Sequence, residues 1–141
     1  AQMGLIPALR KSLDGELSGA FDSINWQVDA AAETDAAEIP VLTAEVLYYA
    51  AREAMRNAAI YGRGGHPRRP LNLTIEITRG DGLHIRVEDD GVGVEQTHGS
   101  PNGSGHGMAL HSTMMAVIGG SLTVESVPDQ FTRVLLYLPL E

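Results

Sequence analysis

A net charge of −8 over 141 residues, with only 10 Lys and Arg, argues against non-specific binding to nucleic acid, whose phosphate backbone needs a basic face. Zero cysteines exclude a disulfide framework, a thiolate zinc site and thiol catalysis, and no apolar run approaches the roughly 18 residues of a membrane span. Hydrophobic residues at 43% and charged residues at 20% suit one globular domain over residues 1–141, with a single two-layer core. The N-terminus lacks a secretory pattern. Because the chain begins at Ala1 and not at a methionine, it reads as a piece of something longer.

Residues 1–20 are expected to hold an N-terminal helix, since Leu5, Ile6, Leu9, Leu13 and Leu17 recur at helical spacing. Residues 21–28 alternate well enough for a strand, with Phe21, Ile24 and Trp26 as candidates for burial. Residues 30–40 are Ala- and acid-rich and predict a surface connection. Thr43 is placed to cap a long helix to about Tyr61, on which Val46, Leu47, Ala50, Ala54 and Ala58 form one apolar stripe. Gly and Pro content makes residues 62–70 a loop.

Leu71, Leu73, Ile75 and Ile77 alternate with polar residues as a half-buried strand does. Arg79-Gly80-Asp81-Gly82 then turns into a second strand over residues 83–88, an antiparallel hairpin. Residues 95–102 are a polar stretch without pattern. A helix over residues 108–118 stops at Gly119-Gly120, and strands at 121–126 and 132–138 close the chain through Pro128-Asp129. These elements predict an α+β two-layer sandwich, a mixed, mostly antiparallel sheet with helices on one face.

Three short motifs carry chemistry. Glu53 and Asn57 lie one helical turn apart on one face, in a row extended by Tyr49 and Tyr61. An Asn oxygen suits Mg²⁺, which takes few protein ligands beside phosphates and water. A carboxylate one turn away can accept a proton or orient the attacking group. Alone, the pair reads as two solvated helix residues. Asp89, Gly91 and Gly93 follow a strand as Asp-x-Gly-x-Gly. An ionised carboxylate only accepts hydrogen bonds, so it can take the N6 amino hydrogen of an adenine and would repel O6 of a guanine. The glycines let backbone approach a flat base. Gly103, Gly105 and Gly107 open the helix at Met108, and consecutive N–H groups at a helix N-terminus cradle anions. Neither a dinucleotide fingerprint nor a Walker A loop has this spacing.

In this order, the three motifs resemble the N box and two glycine boxes of the Bergerat ATP-binding fold. That fold is shared by sensor histidine kinases, type II topoisomerases and the MutL repair proteins. The resemblance covers about residues 5–138. It implies Glu53 as the catalytic base, Asn57 as the Mg²⁺ ligand and Tyr61 beside it on the ATP site. It implies Asp89, with Gly91 and Gly93, as the adenine reader, and Thr132 as its support. It implies Gly103, Gly105, Gly107 and Met108 around the phosphates; His106 either lines that site or faces solvent. Residues 94–102 would be a short ATP lid.

The Gly-His-Gly-Met form and the Val124 to Pro128 segment look most like kinases of the nitrate-sensor and cell-envelope-stress type. Two departures stand out. Ile60 occupies a place that is usually basic, which leaves Arg56 or Arg63 to substitute or the site weakened, and Pro128-Asp129-Gln130-Phe131-Thr132 lacks both glycines of the usual Pro-Gly-x-Gly-Thr. The basic cluster Arg63, His66, Arg68 and Arg69 meets phosphates, a partner domain or solvent alone.

The resemblance implies a cytoplasmic catalytic domain that binds ATP and Mg²⁺ and transfers the γ-phosphoryl group to a histidine. That histidine would sit on an upstream dimerisation domain, with a response regulator reached through the full kinase. No nucleic acid or membrane contact is expected, the isolated domain would be a monomer, and the parent a homodimer. Two alternatives stand beside this: an anti-sigma-factor serine kinase, and a non-catalytic nucleotide-binding or docking module.

Overall fold

The computed structural model describes residues 4–93 and 104–140. Nine elements follow in order: α1 (Leu5–Asp14), β1 (Ser23–Val28), α2 (Ala30–Glu38), α3 (Val41–Tyr61), β2 (Asn72–Arg79), β3 (Gly82–Asp89), α4 (Ser104–Val117), β4 (Ser121–Val127) and β5 (Phe131–Pro139). The strands form one sheet in the order β1-β2-β3-β5-β4. Only the β1–β2 pair is parallel, and the others are antiparallel. The mixed, mostly antiparallel sheet is therefore as the sequence predicts.

Alternation decides which face of the sheet is covered. Leu73, Ile75 and Ile77 on β2 align across the sheet with Asp89, Val87 and Ile85 on β3. Those in turn meet Thr132, Val134 and Leu136 on β5. This face is buried under the helices, together with Leu5, Leu9 and Leu13 of α1 and Leu47, Ala50, Ala51, Ala54, Met55 and Ala58 of α3. The run of alanines lets α3 approach the strands closely. On the other face Glu76, Arg86, Glu88, Arg133 and Glu125 form a ladder of ion pairs open to solvent. Such exposed pairs contribute little to stability.

Several boundaries differ from the sequence reading. The first helix ends at Asp14, where Gly15 donates to the Lys11 carbonyl, although Leu17 beyond it is still buried. Residues 30–38 are not a bare connection but a helix. Asp29 accepts from the Ala32 amide at 2.7 Å as a side-chain cap, and Ala32 and Ala36, one turn apart, are buried. The long helix begins at Val41 behind Pro40, so Thr43 lies inside its first turn and is not the cap. Pro40 has no N–H to lose there, and its carbonyl takes the Ala44 amide. Trp26 is only half-buried, on the covered face with Arg10 stacked over its ring. The fourth helix starts at Ser104 rather than at Met108.

The topology gathers particular termini at one end of the sandwich. β3 runs toward Asp89, which lies opposite Thr132 at the start of β5. Ser126 at the end of β4 also pairs with Thr132, and the Val92 amide donates to Gly62 at the end of α3. α4 leads away from this end, because β4 begins beside Tyr137 at the far side of β5.

Candidate nucleotide site

α3 presents Glu53 and Asn57 half-exposed, next to the buried Ala54 and Ala58. The stripe that anchors the helix therefore lies beside the functional row, as its spacing requires. Ile60 and Tyr61 are about half exposed. Arg63 does not replace the missing basic residue at Ile60. Its guanidinium donates to the Ala20 carbonyl at 3.0 Å, to the Arg69 carbonyl and to Asp22 at 3.4 Å. It is committed to stitching the loop after α3 onto the segment before β1. Arg56 remains exposed on α3.

Among the described residues, Asp89 is the one carboxylate buried on the covered face, only 6% exposed. Its Oδ1 accepts the Gly91 amide at 2.8 Å. Burial pushes its pKa up from 3.8 to about 6, partly opposed by the Gly91 hydrogen bond, while Asp90 and Glu88 push it further up and Arg69 draws it down. The neighbouring Asp90 has a different task. It accepts both the backbone amide of Asn72 at 2.7 Å and its side-chain amide at 2.9 Å, fixing the start of β2.

The glycines of this box are required by contact. A Cβ on Gly91 would lie 2.3 Å from the Gly62 carbonyl oxygen and 2.7 Å from Asp89 Oδ1. Gly93 has φ +85°, and a Cβ there would crowd Ser126 Oγ and the Val127 carbonyl at 2.9 Å. The Asp-Gly loop is thus pressed against the end of α3 on one side and the β4–β5 turn on the other. Gly62 is equally confined, since a Cβ would come within 2.5 Å of Leu71 and of the Ala58 carbonyl. Sequence reasoning passed over Gly62, although a glycine directly after the Asn57–Tyr61 run was the available signal.

The loss of both glycines before Thr132 has a structural answer. The Gln130 amide donates to the Val127 carbonyl at 3.0 Å, and Asp129 takes φ +64°. Pro followed by a residue of positive φ has the form of a type II turn, and Asp is among the few residues that tolerate that conformation. Phe131 simply begins β5, with Arg133 stacked on its ring. The Asp129 amide bonds the Val92 carbonyl at 2.7 Å, so the turn is anchored to the glycine box. Thr132, beside Asp89 in register, has its hydroxyl 3.4 Å from Ser126 Oγ.

Gly105, His106 and Gly107 fall in the first turn of α4, and Met108 packs partly buried against the core. The start of this helix carries the positive end of its dipole, which favours anions. Gly103 and residues 94–102, the expected lid, lie outside the described residues. A separate groove of about 550 Å³, lined by Arg79, His84, Arg86, Thr123 and Tyr137 among others, lies toward the β2–β3 turn and includes none of the motif residues. Among the described residues, no three His, Asp or Glu side chains cluster as a metal site. No helix there is long and apolar enough to cross a membrane.

A family model described as "Histidine kinase-, DNA gyrase B-, and HSP90-like ATPase" matches residues 43–141. No curated protein sequence matches the chain. Among solved structures, the chain is similar to the histidine kinase domain of the Erythrobacter litoralis EL346 blue-light activated histidine kinase. The TM-score is 0.70 at 25% identity, over 95% of this chain and 58% of that one. A further structure of the blue-light kinase gives 0.70 at 24% identity, over 94% and 39%. The Acinetobacter baumannii histidine kinase AdeS gives 0.66 at 12%, over 97% and 64%, a likeness of fold. The chain thus spans between about two fifths and two thirds of the structures it resembles.

Proposed function

The chain belongs to the histidine kinase-, DNA gyrase B- and HSP90-like ATPase family, and from that premise we propose that it is the catalytic domain of a sensor histidine kinase, transferring the γ-phosphoryl group of ATP to a histidine on a separate dimerisation domain. The observation that carries the reading is the buried Asp89 carboxylate, held by Gly91 against the end of the helix that bears Glu53 and Asn57. Burying a carboxylate is costly unless it is paired, and an acceptor-only group in a glycine-lined loop suits the adenine amino group as its partner. The likeness to histidine kinase domains supports the choice of acceptor.

Within this proposal each group has one task. Asp89 accepts from adenine N6, Thr132 supports it, and Gly91 and Gly93 let the backbone lie against the base. Asn57 would hold Mg²⁺ through its side-chain oxygen, and the ion would offset the charge of the phosphates. The amides at the start of α4, including Gly105 and Gly107, meet phosphate charge. Bound ATP supplies the phosphoryl group, and catalysis is mainly positioning and charge stabilisation. Glu53, half-exposed beside Asn57, takes the proton from the acceptor imidazole. Leu110, Met114 and Val117 are exposed along one face of α4, an apolar strip suited to receive the acceptor domain. The full kinase would be a homodimer that passes the phosphoryl group to a response regulator.

The test is phosphorylation in trans. Incubated alone with MgATP, the chain should not label itself, because transfer needs the acceptor within about 3–3.5 Å. Mixed with its dimerisation domain, it should place an acid-labile phosphate on a histidine there. Glu53→Ala should cut that rate far more than it cuts ATP affinity. Acid-labile label on the isolated chain would overturn the split-domain reading, and acid-stable phosphate on a partner's serine would favour the sigma-regulating kinase instead.

A further inference from the structure

Arg69 sits in the loop after α3, eight residues past Tyr61, in a basic cluster for which sequence alone left phosphates, a partner domain and solvent open. Its Nη2 reaches two backbone carbonyls from different parts of the fold, Asp129 at 3.2 Å and Asp90 at 3.4 Å. Asp90 directly follows Asp89, and Asp129 is the positive-φ residue of the β4–β5 turn. One guanidinium group therefore ties together the two loops that wall the Asp89 end of the site. Its own backbone is fixed from behind, since its amide donates to His66 at 2.9 Å and its carbonyl accepts from Arg63.

A loop brace would not need to be an arginine. A neutral amide can donate to a carbonyl as well, and here the arginine carries a cost: its Nε–H is buried without an acceptor among the described residues. What only a cation adds is charge. Asp89 lies between Glu88 and Asp90, both of which oppose its ionisation, and Arg69 is the cation that acts in the opposite direction. Its neighbours across the sheet, Leu73 and Thr132, are uncharged, and the buried residues of α3 nearest that end, Ala54 and Ala58, carry none either. Arg133 is spent on Glu88 and Glu125 at the open face.

We propose that Arg69 is a positioning residue for nucleotide recognition, bracing the Asp-Gly loop against the β4–β5 turn and holding the Asp89 carboxylate ionised for adenine. This rests on the reading of Asp89 as the adenine acceptor. The arginine touches neither the base nor the phosphates. It acts through Asp89, keeping an acceptor-only group acceptor-only in a place where burial favours the proton.

The experiment compares Arg69→Gln, which keeps amide donors but no charge, with Arg69→Lys, which keeps charge. The Asp89 carboxyl carbon is titrated by NMR in nucleotide-free protein, and MgATP affinity is measured at pH 6.5 and 8.5. In Arg69→Gln the carboxyl midpoint should rise, because Glu88 and Asp90 still oppose ionisation and the cation that acted against them is gone. Its loss of ATP affinity should then be larger at pH 6.5, where more of the carboxyl is left protonated, than at pH 8.5, where it is ionised in both proteins. Arg69→Lys should keep the wild-type midpoint. A midpoint unmoved in Arg69→Gln, or an affinity loss equal at both pH values, would overturn the proposal and leave a plain brace.

If the glutamine variant does not fold, the wild type still decides. The Arg69 Nε resonance should titrate with the same midpoint as the Asp89 carboxyl, and a silent Nε overturns the coupling. Wild-type protein that binds GTP as tightly as ATP would instead remove the adenine reading beneath the proposal. Because the carboxyl titration uses no nucleotide, the two failures are told apart.

Discussion

Asp89→Asn should make the protein more stable and less useful at once. The carboxyl is 6% exposed, and its pKa rises from 3.8 to about 6 in the fold, chiefly through burial. The folded protein therefore binds this proton more tightly than the unfolded chain does. The stability linked to it is complete below pH 3.8 and is lost as pH rises through 6. At pH 7 the ionised group costs the fold about 3 kcal/mol, at 1.36 kcal/mol for each unit of pKa.

Asparagine is neutral at every pH, and its Oδ1 can still accept the Gly91 amide that bonds Asp89 at 2.8 Å. The variant should gain roughly 2–3 kcal/mol over wild type at pH 7 and nothing at pH 3.5. At roughly 3–5 °C in Tm per kcal/mol for a domain of this size, the gain is easily read by melting. ATP binding should move the other way. Losing a hydrogen bond to a charged acceptor costs about 1.5–3 kcal/mol, or roughly ten- to a hundredfold in affinity. Urea melts from pH 3.5 to 8, with ATP and GTP titrations of both proteins, check both halves. A stability gap independent of pH would refute the burial argument, and equal wild-type affinity for the two nucleotides would refute the adenine assignment.

Gly91→Ala places a Cβ 2.3 Å from the Gly62 carbonyl, so overpacking and the weakened Val92–Gly62 bond together should cost about 2–4 kcal/mol in denaturant melts. Gly19→Ala, with nothing within 4 Å of the new Cβ, should stay within about 0.5 kcal/mol and serves as its control. Asn57→Ala should leave magnesium-free nucleotide binding largely intact and abolish the gain on adding Mg²⁺. If that gain survives in a calorimetric titration, Asn57 is not the metal ligand.

Much of this molecule was legible before any coordinates, and the reasons are local. Alternation in Leu71 to Ile77 decided a strand with one wet face, because a one-residue slip would expose every apolar side chain. The alanine stripe beside Glu53 and Asn57 fixed which side of the long helix was buried. Gly119 ended the last helix with φ +86°, as a glycine at that place normally does.

Other features depended on residues far apart in sequence. The helix at Ala30–Glu38 was hidden because alanine carries little apolar signal. Its stability comes from the Asp29 cap and from Ala32 and Ala36 meeting the core. The basic residues after α3 looked alike in sequence, yet Arg63 stitches loops, Arg69 braces the Asp89 wall, and Arg68 stays exposed. The Pro128–Phe131 segment looked damaged by its missing glycines, but the Val92–Asp129 bond anchors the turn to the glycine box.

The sequence by itself determined which residue types were present for a nucleotide site and the helix or strand that bears each. Only the tertiary structure decided that the carboxylate would be buried and that Gly91 would lie against Gly62. It also decided that Arg69, from a third segment, would bond the carbonyls of Asp90 and Asp129 beside Asp89. Burial and electrostatic neighbours are set by strand order and loop packing, and no local pattern in the chain encodes those.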